Sequence, residues 1–222
     1  MKITLVKNSF YFTYIFLITT GTICFIEALR NPDPKIRHIM NLETCISVVA
    51  GYFYGLFVDK INKAEKENND ELPLEEINDN RYTDWAISTP LMLLVLCLVL
   101  GLENKHIVNF WKFLFILLLN FLMLGSGYIG ELGILSKTNA NIIGFIFFTF
   151  MFGTIWNTYM KNKKTINSII VYVLFVILWA LYGVFYQTDT LTKIFGYNIL
   201  DLLSKAFIGI FFWLYLTKSV KF

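Results

Sequence analysis

An all-α protein of seven membrane-spanning helices is the fold class that this sequence predicts, and three observations predict it. Of its 222 residues, 56% are hydrophobic and only 16% are charged, against ~25% charged in soluble domains. Seven stretches meet the ~20 mostly apolar residues needed to cross a bilayer: about 9–30, 37–58, 82–102, 110–131, 140–160, 166–187 and 194–217. The connections are mostly short, with Asn31-Pro-Asp-Pro34 breaking the chain after the first stretch.

Residues 1–222 read as a single membrane domain without a clear internal repeat. The apolar run from Phe10 is too long for a cleavable signal peptide and lacks a small-residue cleavage site, so it is expected to be the first span. Cys24, Cys45 and Cys97 all lie in apolar runs, and there are only two histidines. That inventory gives neither a disulfide framework nor a metal-ligand cluster. His38 and His106 fall at helix ends and read as interfacial.

Lys and Arg near the helix ends set the orientation. Arg30, Lys35 and Arg37; Lys105 and Lys112; and Lys161, Lys163 and Lys164 mark the first, third and fifth loops, and Lys218 and Lys221 mark the C-terminus. Those segments are expected to be cytoplasmic, with the N-terminus outside; Lys2 and Lys7 dissent weakly. The second loop, Asp59 to Asn80, holds eight of the sixteen acids against three lysines. It reads as a solvated, partly disordered loop or as a negative vestibule that concentrates cations.

Polar residues then recur at helical spacing. Arg81, Asp84 and Ser88 share a face of the third helix, with Met92 and Val95 further along it, and Pro90 is expected to kink that helix beside Thr89. Glu43, Ser47, Ala50 and Tyr54 share a face of the second helix; Asn120, Met123 and Gly127 do so on the fourth, and Trp179, Tyr182 and Tyr186 on the sixth. In the last helix Asp201 and Lys205 sit four apart within the apolar run NILDLLSKA. Ionisable residues at membrane depth pair, face a cavity or do chemistry. A structural ion pair and an amine desolvated for a Schiff base are both open on that segment alone.

The motifs narrow the choice. RYTDWxxSTPLMLL on the third helix, LGSGYIGEL on the fourth, WALYGVFY on the sixth and DLLSK on the seventh resemble the microbial (type 1) rhodopsins across nearly the whole chain. The resemblance implies all-trans retinal on a Schiff base to Lys205, with Asp84 as primary counterion and proton acceptor and Asp201 as second carboxylate. It places Arg81 one turn outward. It implies that Trp85 and Trp179 sandwich the polyene, that Thr89, Met92, Met123, Gly127, Tyr182 and Tyr186 shape the retinal site, and that Thr89 and Asn120 link the third and fourth helices.

The departures bear on transport. The third helix carries Val95 where pumps of this family usually keep a donor carboxylate, and Ser88 where a Thr is usual. The acidic release pair near the start of the last helix is missing, with Lys193 in that region, and Gly183 replaces the usual Pro of the sixth helix. Glu43 appears on the second helix instead. The short chain, that acid and the DxxxS…V pattern resemble the rhodopsins of giant algal viruses, which implies a host cell membrane as the location.

The sequence reading favours a light-gated cation channel lined by Glu43, Ser47, Asn198 and Asp201; the alternative is an outward proton pump in which Glu43 is the donor. Neither is an enzyme. The expected partners are the lipid membrane, the transported cations or protons and, as an open alternative, further copies in a homo-oligomer; nothing points to nucleic acid. Glu27, near the end of the first helix, is expected to snorkel or face a loop.

Overall fold

A computed structural model describes residues 3–66, 73–161 and 164–217. Seven of its helices are long and apolar enough to cross a membrane: α1 (Ile3–Arg30), α2 (Pro34–Lys66), α3 (Leu74–Asn104), α4 (Phe110–Glu131), α5 (Lys137–Met160), α6 (Ile166–Tyr186) and α7 (Thr190–Thr217). No strand occurs among the described residues.

The ends of these helices follow local chemistry rather than the apolar count. Pro34 opens α2, with the Lys35 amide donating to the Asp33 carboxylate at 2.8 Å. Asn109, Ser136, Thr165 and Asp189 cap α4, α5, α6 and α7 in the same way. Such caps start α5 and α7 three to four residues before their apolar runs begin.

The Asp59–Asn80 stretch requires the largest correction. Asp59–Lys66 continues α2, and Leu74–Asn80 is the opening of α3, so most of the expected loop is helix. At 33 residues, α2 is about 50 Å long, more than a bilayer core needs. The acids there are partly neutralised: Lys60 pairs with Glu76 at 2.7 Å, Lys63 with Asp59 at 2.8 Å, and Lys7 with Glu65 at 2.7 Å. Glu75 and Glu76 also sit in the first turn of α3, where the helix dipole favours a negative charge. Glu67, Asp70 and Glu71, like Lys2, Lys163, Lys218 and Lys221, lie outside the described residues.

The chain divides into two compact units, residues 1–88 with 188–222, and residues 89–187, with the division falling inside α3 between Ser88 and Thr89. In the first unit, α1 buries Val6, Ser9, Phe10, Thr13, Leu17, Thr20, Gly21, Cys24 and Glu27, one residue or two every turn. The outer face of α1 is as apolar as the buried one, with Phe12, Ile15 and Phe25 exposed. That inverts the soluble pattern, because lipid accepts large apolar groups while small and polar residues mediate helix contact.

In the second unit, Tyr186 Oη donates to the Gly127 carbonyl at 2.9 Å and joins α6 to α4. Phe145 on α5 lies where a side chain at Gly183 would go, its Cε2 only 2.6 Å from an added Cβ. Asn141 Nδ2 donates to the Gly183 carbonyl at 3.1 Å. Those contacts explain glycine at a position where the resemblance led one to expect proline.

Candidate functional site

The charged residues of the third and last helices meet inside the first unit. Lys205 Nζ donates to Asp84 Oδ2 at 2.7 Å and lies 3.5 Å from Asp201 Oδ1. Arg81 Nη1 donates to Asp201 Oδ2 at 2.9 Å and to the Tyr54 hydroxyl at 3.1 Å, and Nη2 donates to Asn198 Oδ1 at 2.7 Å. The Tyr54 hydroxyl donates to Asp201 Oδ2 at 2.8 Å, and Trp85 Nε1 reaches Asp201 Oδ1 at 3.4 Å. All four charged groups are fully or almost fully buried. Two cations and two anions leave the cluster neutral, the condition under which buried charge is tolerated.

The two carboxylates are held differently. Asp201 is engaged on both oxygens, by Arg81 and Tyr54 on one and by Trp85 and Lys205 on the other. Asp84 meets Lys205 through Oδ2, while its buried Oδ1 and the Ser88 hydroxyl one turn on have no hydrogen-bond partner among the described residues. Protonating Asp84 therefore breaks fewer interactions than protonating Asp201.

Arg81 is caged by aromatic rings. Its guanidinium carbon lies 5.9, 5.6, 5.2 and 5.8 Å from the ring centres of Phe10, Tyr54, Phe57 and Tyr197, each within cation–π range. Asn198 extends the network onto α1, its Nδ2 donating to Ser9 Oγ at 2.8 Å and its carbonyl accepting from Thr13 at 3.0 Å. Ser9, Phe10 and Thr13 carry no sequence signal for this role, since a hydroxyl or ring in an apolar helix is ordinary.

Lys205 sits in a π-helical segment, Leu202–Phe207, within α7. Such one-turn bulges put backbone carbonyls out of register and are frequent at functional sites. Thr20 on α1 donates to the Ala206 carbonyl at 3.3 Å. Sequence spacing read as ideal helix could not reveal this.

In the second unit, Asn120 Nδ2 donates to Thr89 Oγ1 at 2.8 Å, the link between α3 and α4 that the motifs implied. Met92 is buried on α3, and Met123 and Gly127 are half-buried on α4. Trp179 is buried and meets Phe152 edge-on at 5.8 Å; Tyr182 is half-buried, and Tyr186 is buried.

Glu43, Ser47, Ala50 and Tyr54 are all buried, as their shared face requires. Of the two readings of Glu27, snorkelling or facing a loop, the structure corrects the first and keeps a loop contact through Asn31. Glu27 is 3% exposed, and its carboxylate accepts from Arg30 at 2.8 Å, Asn31 at 2.7 Å and Trp213 at 3.2 Å. Arg30 and Asn31 lie at the helical spacing that pairs with it, but Trp213 of α7 is 186 positions away and is not legible from α1. The cysteines are free, and no group of His, Cys, Asp and Glu able to hold a metal occurs among the described residues.

Seven candidate membrane spans, with a buried amine held between two carboxylates in the first unit, agree with the retinal-binding membrane proteins that the motifs resemble. A family model described as bacteriorhodopsin-like protein matches residues 5–219. The chain is similar to the solved viral rhodopsin OLPVRII, 47% identical, covering 98% of this chain and all of that one, with a TM-score of 0.88. It is similar in fold to the blue light-absorbing proteorhodopsin from Med12, 21% identical over 96% and 98% of the chains, TM-score 0.74. Among curated proteins it is 28% identical to Opsin-1 of Neurospora crassa over 62% of this chain and 48% of that protein. It is also 28% identical to a green-light absorbing proteorhodopsin of Gamma-proteobacterium EBAC31A08, over 60% and 59%. The matches span about half to three-fifths of the length of these curated relatives.

The chain belongs to the bacteriorhodopsin-like family. It is an integral multi-pass membrane protein, a microbial rhodopsin that binds retinal through a Schiff base to a lysine, in a family of light-driven photoreceptors and ion transporters. The residues present fit that group. A protonated Schiff base carries the same single charge as the Lys205 ammonium, so the Asp84–Asp201–Arg81 set stays balanced.

Proposed function

We propose that this protein is a light-driven proton pump working outward, in which Asp84 takes a proton from Lys205 and Glu43 returns one. The observation that carries this reading is the setting of Glu43. Glu43 is 2% exposed, and no lysine or arginine among the described residues pairs with it. Its Oε2 lies 3.0 Å from where a Cβ on Gly209 would stand, a spot that Thr20 Cγ2 and Cys24 Sγ also border. An ionised Glu43 would be a buried, unpaired charge, at a cost of several kcal/mol; the neutral acid avoids that cost and is a stored proton.

Retinal, when bound, supplies light absorption and an isomerisation that re-aims the Lys205 nitrogen. The chain's own groups do the rest. Asp84 lies 2.7 Å from Nζ, within proton-transfer reach, and is held by fewer donors than Asp201. Arg81, Tyr54 and Trp85 keep Asp201 as the fixed anion, so the cluster retains one negative charge while Asp84 is neutral. The proposal carries with it a single membrane domain, an outside N-terminus and a cytoplasmic C-terminus, as the Lys and Arg flanks suggest.

A channel reading needs a fixed charge at Glu43 and free polar groups at Asn198 and Asp201. Both of those groups are bound to Arg81, and lysine pairs offset Asp59, Glu65 and Glu76 of the acidic stretch. The test is Glu43→Gln in vesicles. Reprotonation after the flash should slow on the order of a hundredfold, and azide, a small diffusible acid, should restore it. A photocurrent that reverses near the cation equilibrium potential would replace the pump with the channel.

A further inference from the structure

Glu43 and its neighbour Ser47 are seated between two glycines on other helices. A Cβ added at Gly209 of α7 would stand 3.0 Å from Glu43 Oε2 and 2.8 Å from Thr20 Cγ2, with Cys24 Sγ at 3.9 Å. A Cβ added at Gly21 of α1 would stand 3.1 Å from Ser47 Cβ. Gly209 is buried, four residues beyond Lys205 and just past the π-helical segment. Ser47 Oγ is buried one turn from Glu43, without a hydrogen-bond partner among the described residues. Cys24 donates weakly to the Gly209 carbonyl at 3.9 Å, and Thr20 donates to that of Ala206 at 3.3 Å. The α1 side chains thus clamp α7 at the level of the Glu43 carboxyl.

We propose that Gly209 is a positioning residue for proton return: its missing side chain lets the Glu43 carboxyl lie directly against the α7 backbone, and any side chain there displaces it. The inference rests on Glu43 as donor for its kinetic consequence, but the seat itself is a matter of packing. An added Cβ makes the carboxyl give by a few tenths of an ångström, and proton transfer is sensitive to misplacement on that scale.

The test is Gly209→Ala, with Gly153→Ala, where nothing lies within 4 Å of the added Cβ, as the control for alanine in a helix. Subtracting the static infrared spectrum of Glu43→Gln isolates the Glu43 carboxyl band, whether or not that group moves a proton. Gly209→Ala should shift the band and slow reprotonation by about three- to tenfold, a fraction of the ~100-fold that a misplacement of about 1 Å costs; Gly153→Ala should do neither. Should Gly209→Ala fold poorly, adding Thr20→Ser removes the Cγ2 contact and leaves the carboxyl as the group displaced. An unshifted band in a folded Gly209→Ala or double variant overturns the seat. A shifted band with unchanged reprotonation upholds the seat and removes Glu43 as donor instead.

Discussion

The two units carry different kinds of buried polarity. Every buried charged residue among those described, Glu27, Glu43, Arg81, Asp84, Lys193, Asp201 and Lys205, lies in the unit made of residues 1–88 and 188–222. The buried polar residues of the 89–187 unit are Thr89, Asn104, Asn120, Ser126 and Ser168, all neutral. A neutral hydrogen bond such as Asn120 to Thr89 is satisfied pairwise and is worth about 1 kcal/mol. A buried charge needs a balancing charge and several donors, so it gathers further charges around it. The first unit therefore holds an electrically coupled set, Arg81, Asp84, Asp201 and Lys205, and the other is a packed frame of rings and hydroxyls. The difference predicts that substitutions in the first unit will be large and non-additive, and those in the second small and local.

Lys205→Ala should have the largest effect. It leaves Asp84 and Asp201 facing Arg81 alone, and removing one partner from a buried pair costs about 3–5 kcal/mol. The visible band with added retinal should vanish and the thermal midpoint should fall; an alanine variant that keeps the band would remove Lys205 from the site. Asp84→Asn comes next. It takes one anion from beside the lysine nitrogen, so the absorption band should move to the red and the first proton transfer should stop. A spectrum that does not move would make Asp201 the working counterion.

Tyr54→Phe removes the hydroxyl that bridges Arg81, Asp201 and Asn198. Stability should drop by about 1–3 kcal/mol, the cost of unsatisfied buried groups, with the band kept. The same measurement on Asn120→Ala in the neutral unit should give about 1 kcal/mol and no coupling to Asp84→Asn in a double-mutant cycle. Strong coupling there would break the division into a charged and a neutral unit.

The smallest effect is at the start of α7. The Thr192 side chain and backbone hold the Asp189 carboxyl below the ordinary aspartate range, with the Thr192 amide 3.1 Å from Oδ1. A lowered folded value means that the cap stabilises fully above the unfolded aspartate range and is lost as pH falls through the lowered value. Amide exchange at Thr192 should therefore speed up at acid pH, and Asp189→Asn should flatten that dependence.

The sequence by itself determined the seven helices, the faces carrying Arg81–Asp84–Ser88 and Glu43–Ser47–Tyr54, and the Asp201–Lys205 spacing. Each of these is a periodicity within one helix, written in neighbouring residues. Tertiary structure alone decided how the charges are shared out. Asp84 and Lys205 are 121 positions apart, and nothing in either helix states that Arg81 binds Asp201 rather than Asp84. Nor does α1 announce that Trp213 reaches Glu27, that Phe10 helps to cage Arg81, or that Gly209 leaves room for Glu43. Asp59, Glu65 and Glu76 carried a strong sequence signal, yet their meaning depended on lysines one helical turn or a whole helix away. Local spacing fixes which way a side chain faces; the cost of burying its charge is settled by groups that only the folded chain brings within a few ångströms.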